Sequence, residues 1–564
     1  MALAVIVSAA AQTTGDAVPV YERTYIATDK DAYVAGDRVW CSAFCFRADS
    51  LGLSHKSAVA YVEIVSNTGD ILKTAKIYLD GGRGAGYLDL PESMPTGNYR
   101  MIAFTAVNKN EEGFDFLHNS KVISVYNAKY TTKLRDRVEA VSDKLYSERK
   151  ASVASDPQRG DIAISVPAAA RKGKTIELGL SNTGKAVASL SISVYHDDSL
   201  APAEDKAVTS FDIGRGKVGT YSQKYIPETE GEVIYAKLAG KDRETILRDE
   251  NLAMGYISTS GNMGDTYTGK IGPDGDILFM TNNIYGNKEV VTEIADLEDE
   301  SLVGTVDIQS PFVHVSTDVP VLMIAEGIGK DLVARGREMQ TFHMEHADSL
   351  GEFRARREEF PFSDETARIY ILDDYTRFPT IREVLVEITT EVRVRGRNDK
   401  QRIQVLTKDV EGDGGVSMNW ETSLVLLDGI PVFKHSDMMD YDAMLLKEIR
   451  VWREKYIIGN RTFNGVVNFI SKRGNMAFMD FGSNVRIVDY DGVCYPMEFM
   501  KKYASGDDTR QTILWKPELE IAPGSATELK CEIPDYDGNF VVVVEGVTED
   551  GELIHKKARI TVEN

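Results

Sequence analysis

The sequence predicts a mainly β protein, built of tandem β-sandwiches with one small α+β module set among them. Three observations carry this. Short runs alternating apolar and polar residues, separated by turn residues, recur from Tyr21 to Ala128 and again beyond Asp161; period-two alternation marks a strand with one buried face. Glycine is frequent, with 46 in 564 residues, and Val, Ile, Thr and Tyr recur in the short runs, which favours strands over helices. Leu424 to Gly474 (LVLLDGIPVFKHSDMMDYDAMLLKEIRVWREKYIIGNRTFNGVVNFISKRG) passes from strand to short helix and back.

Taken in order, MALAVIVSAAAQ has an apolar stretch and a small-residue site at Ala9-Ala10-Ala11, so 1–11 is expected to be the remnant of a secretory signal, without the usual basic start and with no Cys after it for lipid attachment. The first sandwich is placed at 21–128, on the runs Val39 to Phe46, Ala58 to Val65, Ile71 to Tyr78, Tyr99 to Ala106 and Lys121 to Tyr126, with turns at Asn67-Thr-Gly-Asp and Pro95-Thr-Gly. A charged linker, helical over Lys133 to Arg149, is expected at 129–160. Further sandwich-like units are expected at 161–231 and 232–330, a charged helical connector at 331–366, the α+β module at 367–474 and a last β domain at 483–564.

Within the α+β module, Leu424 to Leu427 is an apolar strand stopped by Asp428-Gly429, a hairpin signal because the turn needs positive φ. Ile430 to Phe433 resumes as a strand. Asp440 or Asp442 is expected to cap a short helix with Met444, Leu445 and Ile449 on its buried face. Arg450 to Trp452 and Gly465 to Ser471 read as strands, with Asn464-Gly465 at the entry of the second.

Two regions resemble known families. VLLDGIPV, LLKEIRVW and FNGVVNFISKRG, in that order and preceded by PTIREVLVEITTEVRVR, resemble the plug domain of TonB-dependent outer-membrane receptors. TDKDAYVAGDRVWCSAF, keeping Thr28, Asp29, Lys30, Tyr33, Gly36 and Val39, resembles the MG2 domain of α2-macroglobulins, with Asp31 and Ala35 where that pattern has prolines; GYLDLPESMPTGNYRMIAFT matches a later part of it. Together they imply tandem Ig/macroglobulin-like sandwiches plus a TonB-receptor plug-like domain, as in Bacteroidetes envelope proteins that join the two. A transmembrane strand takes about 9–11 residues and receptor barrels use many; Asn475 to Asn564 is too short for such a barrel, so the chain is not expected to be a transporter itself.

The net charge of −22 argues against a nucleic-acid binder, whose affinity comes mostly from Lys and Arg on phosphates. No run approaches the ~20 apolar residues that span a bilayer. Cys41 and Cys45, four residues apart on one strand and so about 13 Å apart, are beyond disulfide reach; a Cys494–Cys531 bridge stays open. None of the four has the C-G-E-Q context of a macroglobulin thioester. His343 and His346 could share a helix face but lack the zincin spacing and a third ligand. Asp409, Glu411, Asp413 and Gly414 begin like a calcium loop, but Trp420 stands where the bidentate Glu belongs. His196 and His435 are isolated, and Trp40, Trp420, Trp452 and Trp515 read as core. Neither G-x-S-x-G nor a phosphate-binding glycine loop is present. No catalytic, cofactor or metal residue is therefore assigned.

The expected function is a non-enzymatic envelope protein, exported to the periplasm or outer membrane, whose plug-like module docks on an outer-membrane or periplasmic protein. Two alternatives stand beside it: a macroglobulin-like protease-binding protein without thioester, with Asn127 to Gly160 as bait, and an envelope glycan-binding protein.

Overall fold

In the computed structural model, the described residues are 21–48, 52–113, 120–129, 137–153, 158–167, 169–202, 222–248, 253–260, 265–296, 302–346, 366–410, 416–459, 461–495, 499 and 508–563. The chain folds into two units, each assembled from separated stretches of sequence. One takes 232–310 and 356–492; the other takes 17–231, 311–355 and 493–564.

The second of these units opens with a sandwich. A sheet of Glu22–Thr28, Arg38–Arg47 and Arg83–Asp89 faces a five-stranded sheet ordered Ala32–Val34, Lys121–Tyr126, Gly97–Phe104, Val59–Val65 and Ile71–Tyr78. Ile26, Val39, Val62, Ile64, Met101 and Ile123 fill the space between them. The motif residues at its start have distinct tasks. Asp29 is buried and accepts from the Tyr33 hydroxyl (2.8 Å), the Trp40 amide (3.1 Å) and the Thr512 hydroxyl (2.5 Å). Gly36 turns the chain at φ +97°, and a Cβ there would lie 2.7 Å from Met339 Cε. Asp37 holds Lys30 (3.3 Å) and Arg335 (3.0 Å), fixing the helix Gly329–His346 against this end of the sandwich. Burial raises the Asp37 carboxyl, but Arg335 and Lys30 outweigh it and hold the group below its usual range. The expected connector at 331–366 is thus a docked helix over its described part.

The other sandwich of this unit corrects the expected division. Ala188–His196 runs between Thr512–Ile521 and Phe540–Thr548, and Thr175–Asn182 pairs with Ala526–Glu532. So 161–231 and 483–564 do not form separate domains: strands of 161–231 and those from Thr512 on build one sandwich around one core of Leu178, Leu190, Ile192, Val542 and Val544, while Val485–Asp491 joins the other unit. Each strand set alone has an open edge, and the partner set closes it.

Where the two sandwiches of this unit meet, charge is buried. Lys121 contacts Asp31 (2.9 Å) and Glu545 (3.4 Å), and Glu545 also meets His555 Nδ1 (3.0 Å) and the Tyr25 hydroxyl (3.1 Å). Burial pushes the Glu545 carboxyl up; Lys121 and His555 more than reverse this and leave it well below the carboxylate range.

The expected linker at 129–160 contains a strand, Val138–Val141, parallel to Leu322–Ala325, and its helix runs Asp143–Val153 rather than from Lys133. The cysteines are free. Cys41 and Cys45 are buried in the first core and Cys494 packs on it, whereas Cys531 lies in the other core, which rules out the Cys494–Cys531 bridge.

The remaining unit also contains a sandwich. Asp276–Met280, Val233–Ala239 and Thr305–Ile308 form one sheet; Thr266–Lys270, Met254–Thr259, Asn287–Ala295 and Val485–Asp491 form the other. Its last strand comes from beyond residue 474, and 311–325 belongs to the other unit, so the expected boundary at 330 moves back to 310.

Candidate interaction surface of the α+β module

The module is a five-stranded sheet ordered Arg368–Ile371, Leu446–Ile458, Arg461–Ser471, Leu424–Leu427 and Ile430–Pro431, joined by a three-stranded sheet of Val392–Arg395, Arg402–Val410 and Val416–Thr422. The helix Ile381–Glu387 starts at Thr380, whose hydroxyl accepts from the Glu383 amide while the Glu383 carboxylate accepts from the Thr380 amide. Ile381, Val384 and Leu385 pack with Val425, Leu427, Ile449, Val467 and Phe469 on one face of the sheet.

The turn that predicted the hairpin is present. Asp428 (φ 49°) and Gly429 (φ 84°) join Leu427 to Ile430. Two consecutive left-handed residues are what a two-residue hairpin turn requires. Asp428 is fully buried and accepts from the Ser471 amide (2.7 Å) and hydroxyl (2.6 Å) and the Met476 amide (2.7 Å). It ties the hairpin to the far end of the module and has no opening to solvent. Gly465 (φ 80°) stands opposite Val405, where a Cβ would approach to 2.6 Å.

One expectation fails here. Asp442 does cap a helical turn, accepting from the Met444 amide (2.9 Å), but that turn is a 3-10 helix of only Ala443–Leu445. Ile449 belongs to the strand Leu446–Ile458, which outcompetes a longer helix by pairing along Arg461–Ser471.

The opposite face of the five-stranded sheet is partly covered. Leu424, Leu426, Phe433, Trp452 and Val466 pack against Met254 and Tyr256 of the adjoining sandwich. Tyr256 and Phe433 rings are 4.4 Å apart. The module is therefore fused to that sandwich through an apolar core, not hung freely on the chain.

What remains open is the edge. Among the described residues, Arg368–Ile371 pairs on one side only, with Leu446–Ile458. Tyr370 points inward and its hydroxyl donates to Glu391, while Arg368 bridges Glu391 (2.6 Å). Ile369 and Ile371 face outward at 41% and 46% exposure, with Tyr375 at 45% beside them. An unpaired edge with apolar side chains is a template for another strand. Sequence reasoning placed 367–474 but missed these residues: RIYI shows alternation, and only the sheet order reveals that no described strand pairs with its outer side.

The remaining candidates separate. His343 and His346 lie on the helix Gly329–His346, their side chains outside the described residues. Asp409 lies in the strand Arg402–Val410, and 411–415, the middle of the calcium-like loop, lie outside the described residues. His435 is buried, accepts from the Ile403 amide (2.9 Å), and is pushed down to about 3 by burial and Arg402. His196 packs on Tyr536 and Phe540. Trp452 and Trp515 are core, whereas Trp40 and Trp420 are half-buried under Arg38 and Arg393. Among the described residues, no three His, Cys, Asp or Glu side chains converge as a metal site, and no helix is long and apolar enough to cross a membrane.

No family model and no curated protein matches the chain. Among solved structures it is similar to trypsin-activated alpha-2-macroglobulin from Escherichia coli, at 8% identity and TM-score 0.24, over 96% of this chain and 42% of that one. It is also similar to the native conformation of the E. coli protein (9%, TM-score 0.24, 96% and 40%) and to a Salmonella alpha-2-macroglobulin mutant (11%, TM-score 0.24, 98% and 40%). The chain thus spans about two fifths of the length of those proteins. The observed sheets themselves define a mainly β protein of sandwich domains that carries one α+β module.

Proposed function

We infer that this chain is a non-enzymatic interaction protein of the bacterial cell envelope, and that its α+β module docks a partner by strand addition at Arg368–Ile371. The occupant is an extended segment of an envelope protein whose apolar side chains cover Ile369 and Ile371. The observation that supports this reading is an edge unpaired among the described residues, with two outward isoleucines, on a sheet packed on one face and partly covered on the other. Main-chain pairing would supply affinity and the side-chain row specificity. The plug resemblance fits an envelope setting.

A photocrosslinking residue at Ile371, in cells of the native host, tests the docking. One defined envelope protein should be captured there, and not from a crosslinker at Val386, which is 65% exposed on the helix. The added substitution Ile369→Asp should abolish capture. Equal capture at both positions, or none at Ile371, removes the reading. The protease-binding alternative has less to rest on: 138–141 and 143–153 of its bait segment form a strand and a helix, which cannot enter a protease cleft as extended chain while they stay folded.

A further inference from the structure

The segment 311–320 has no helix or strand and lies across the outer face of the five-stranded sheet of the first sandwich. It is held through its backbone. Lys109 Nζ donates to the Pro311 carbonyl (3.1 Å), Arg100 to Asp318 (2.6 Å), Arg137 to Val319 (3.1 Å) and Asn98 to Pro320 (3.0 Å). In return the Val313 amide donates to the Glu63 carboxylate (3.3 Å) and the Ser316 hydroxyl to the Asn67 carbonyl (3.3 Å). Phe312 stands edge-on to Tyr61 at 5.9 Å, and Tyr61 stacks on Phe104 at 5.7 Å. The turn at Gly69 is cut to fit: a Cβ there would sit 3.0 Å from the Ser316 nitrogen. Beneath lies Glu63, 0% exposed, whose Oε1 has no hydrogen-bond partner among the described residues.

We propose that 311–320 is a releasable strap, that the protonation of Glu63 controls its release, and that release bares the Tyr61–Glu63–Phe104 face of the sheet. The groups around Glu63 are few. Tyr61 is on its own strand and donates to Glu228 (2.6 Å); Lys76 stands opposite Tyr61 on the neighbouring strand; Arg100 stands opposite Val65 on the other; Lys109 approaches from the 3-10 helix. From the strap itself come the Val313 amide and two exposed titratable side chains, His314 and Asp318. Burial raises the Glu63 carboxyl to about 7, the Val313 amide and Lys109 offsetting only part of it. With the strap lifted, Glu63 is solvated and returns to its ordinary 4.5. The closed form therefore retains a proton that the open form releases. Opening is rarest below pH 4.5, rises by up to about tenfold per pH unit towards 7, and levels off above it, about 300-fold in all.

Hydrogen exchange of the peptide covering 311–320, corrected for the intrinsic rate, tests this on the full chain between pH 5 and 8. The wild-type strap should open with the slope above, while the strand Gly97–Phe104 stays pH-independent. Glu63→Gln, which mimics the neutral acid, should give a protected strap with no slope. Phe312→Ala should raise opening at every pH and keep the slope. A flat wild-type profile, a slope retained in Glu63→Gln, or no effect of Phe312→Ala overturns the proposal. If Glu63→Gln fails to fold, the wild-type strap against Gly97–Phe104 in one sample still decides.

Discussion

Asp428 shows how a residue can be legible in type and not in role. The pair Asp428-Gly429 between apolar runs demanded a tight turn, because few residues accept positive φ, and the turn is there. That Asp428 also collects donors from Ser471 and Met476 could not be read, since those partners lie more than forty positions away. Glu293 had no sequence signal at all. It sits buried, accepts from Asn484 (3.0 Å), and burial together with Asp437 raises it to about 8. A raised carboxyl contributes stability that is complete below its ordinary 4.5 and is lost as pH rises through 8. Glu293→Gln should therefore match the wild type at pH 4 and be more stable at pH 9, by at most about 5 kcal/mol. Thermal melts of both proteins at the two pH values check this; equal melting at pH 9 would show that Glu293 ionises without cost.

At the scale of elements, strands were easier to place than short helices. Alternation announces a strand wherever one face is buried, and the long strands of the α+β module follow it. The helix expected to reach Ile449 shortened to a single 3-10 turn because cross-strand pairing with Arg461–Ser471 claims the chain from Leu446 onward. That hairpin carries an irregularity between Trp452 and Lys455, directly opposite the Gly465 region. Gly465 permits it by adopting φ 80° and leaving room for Val405. Gly465→Ala should destabilise the module by about 2–4 kcal/mol, combining a disfavoured backbone with overpacking. Urea denaturation followed by Trp fluorescence measures it. The outward isoleucines of Arg368–Ile371 were invisible for a different reason: alternation gives two faces but does not say which face, or which edge, meets solvent.

For the whole molecule, the sandwich class was legible and the assembly was not. Reading a chain in order assumes that a domain is one stretch, yet both units here are spliced from distant stretches. Nothing local in 161–196 indicates that its partners lie beyond residue 510. The consequence for truncation is direct. A chain ending at residue 482 would leave Ala188–His196 without either neighbour and Leu190, Ile192 and Val194 uncovered; it should be recovered as aggregate, whereas the full chain elutes as a discrete species in size-exclusion chromatography. The same pairing also sets a timetable. A strand made early waits for residues 512–560 before it gains a ladder on either side. Closing so long a loop is slow, because contacts between distant positions must form before they reward the ordering they require. During synthesis, that unit stays unfinished until residues 512–560 have emerged. Its half-built sheet is then the part of the nascent chain most in need of a chaperone.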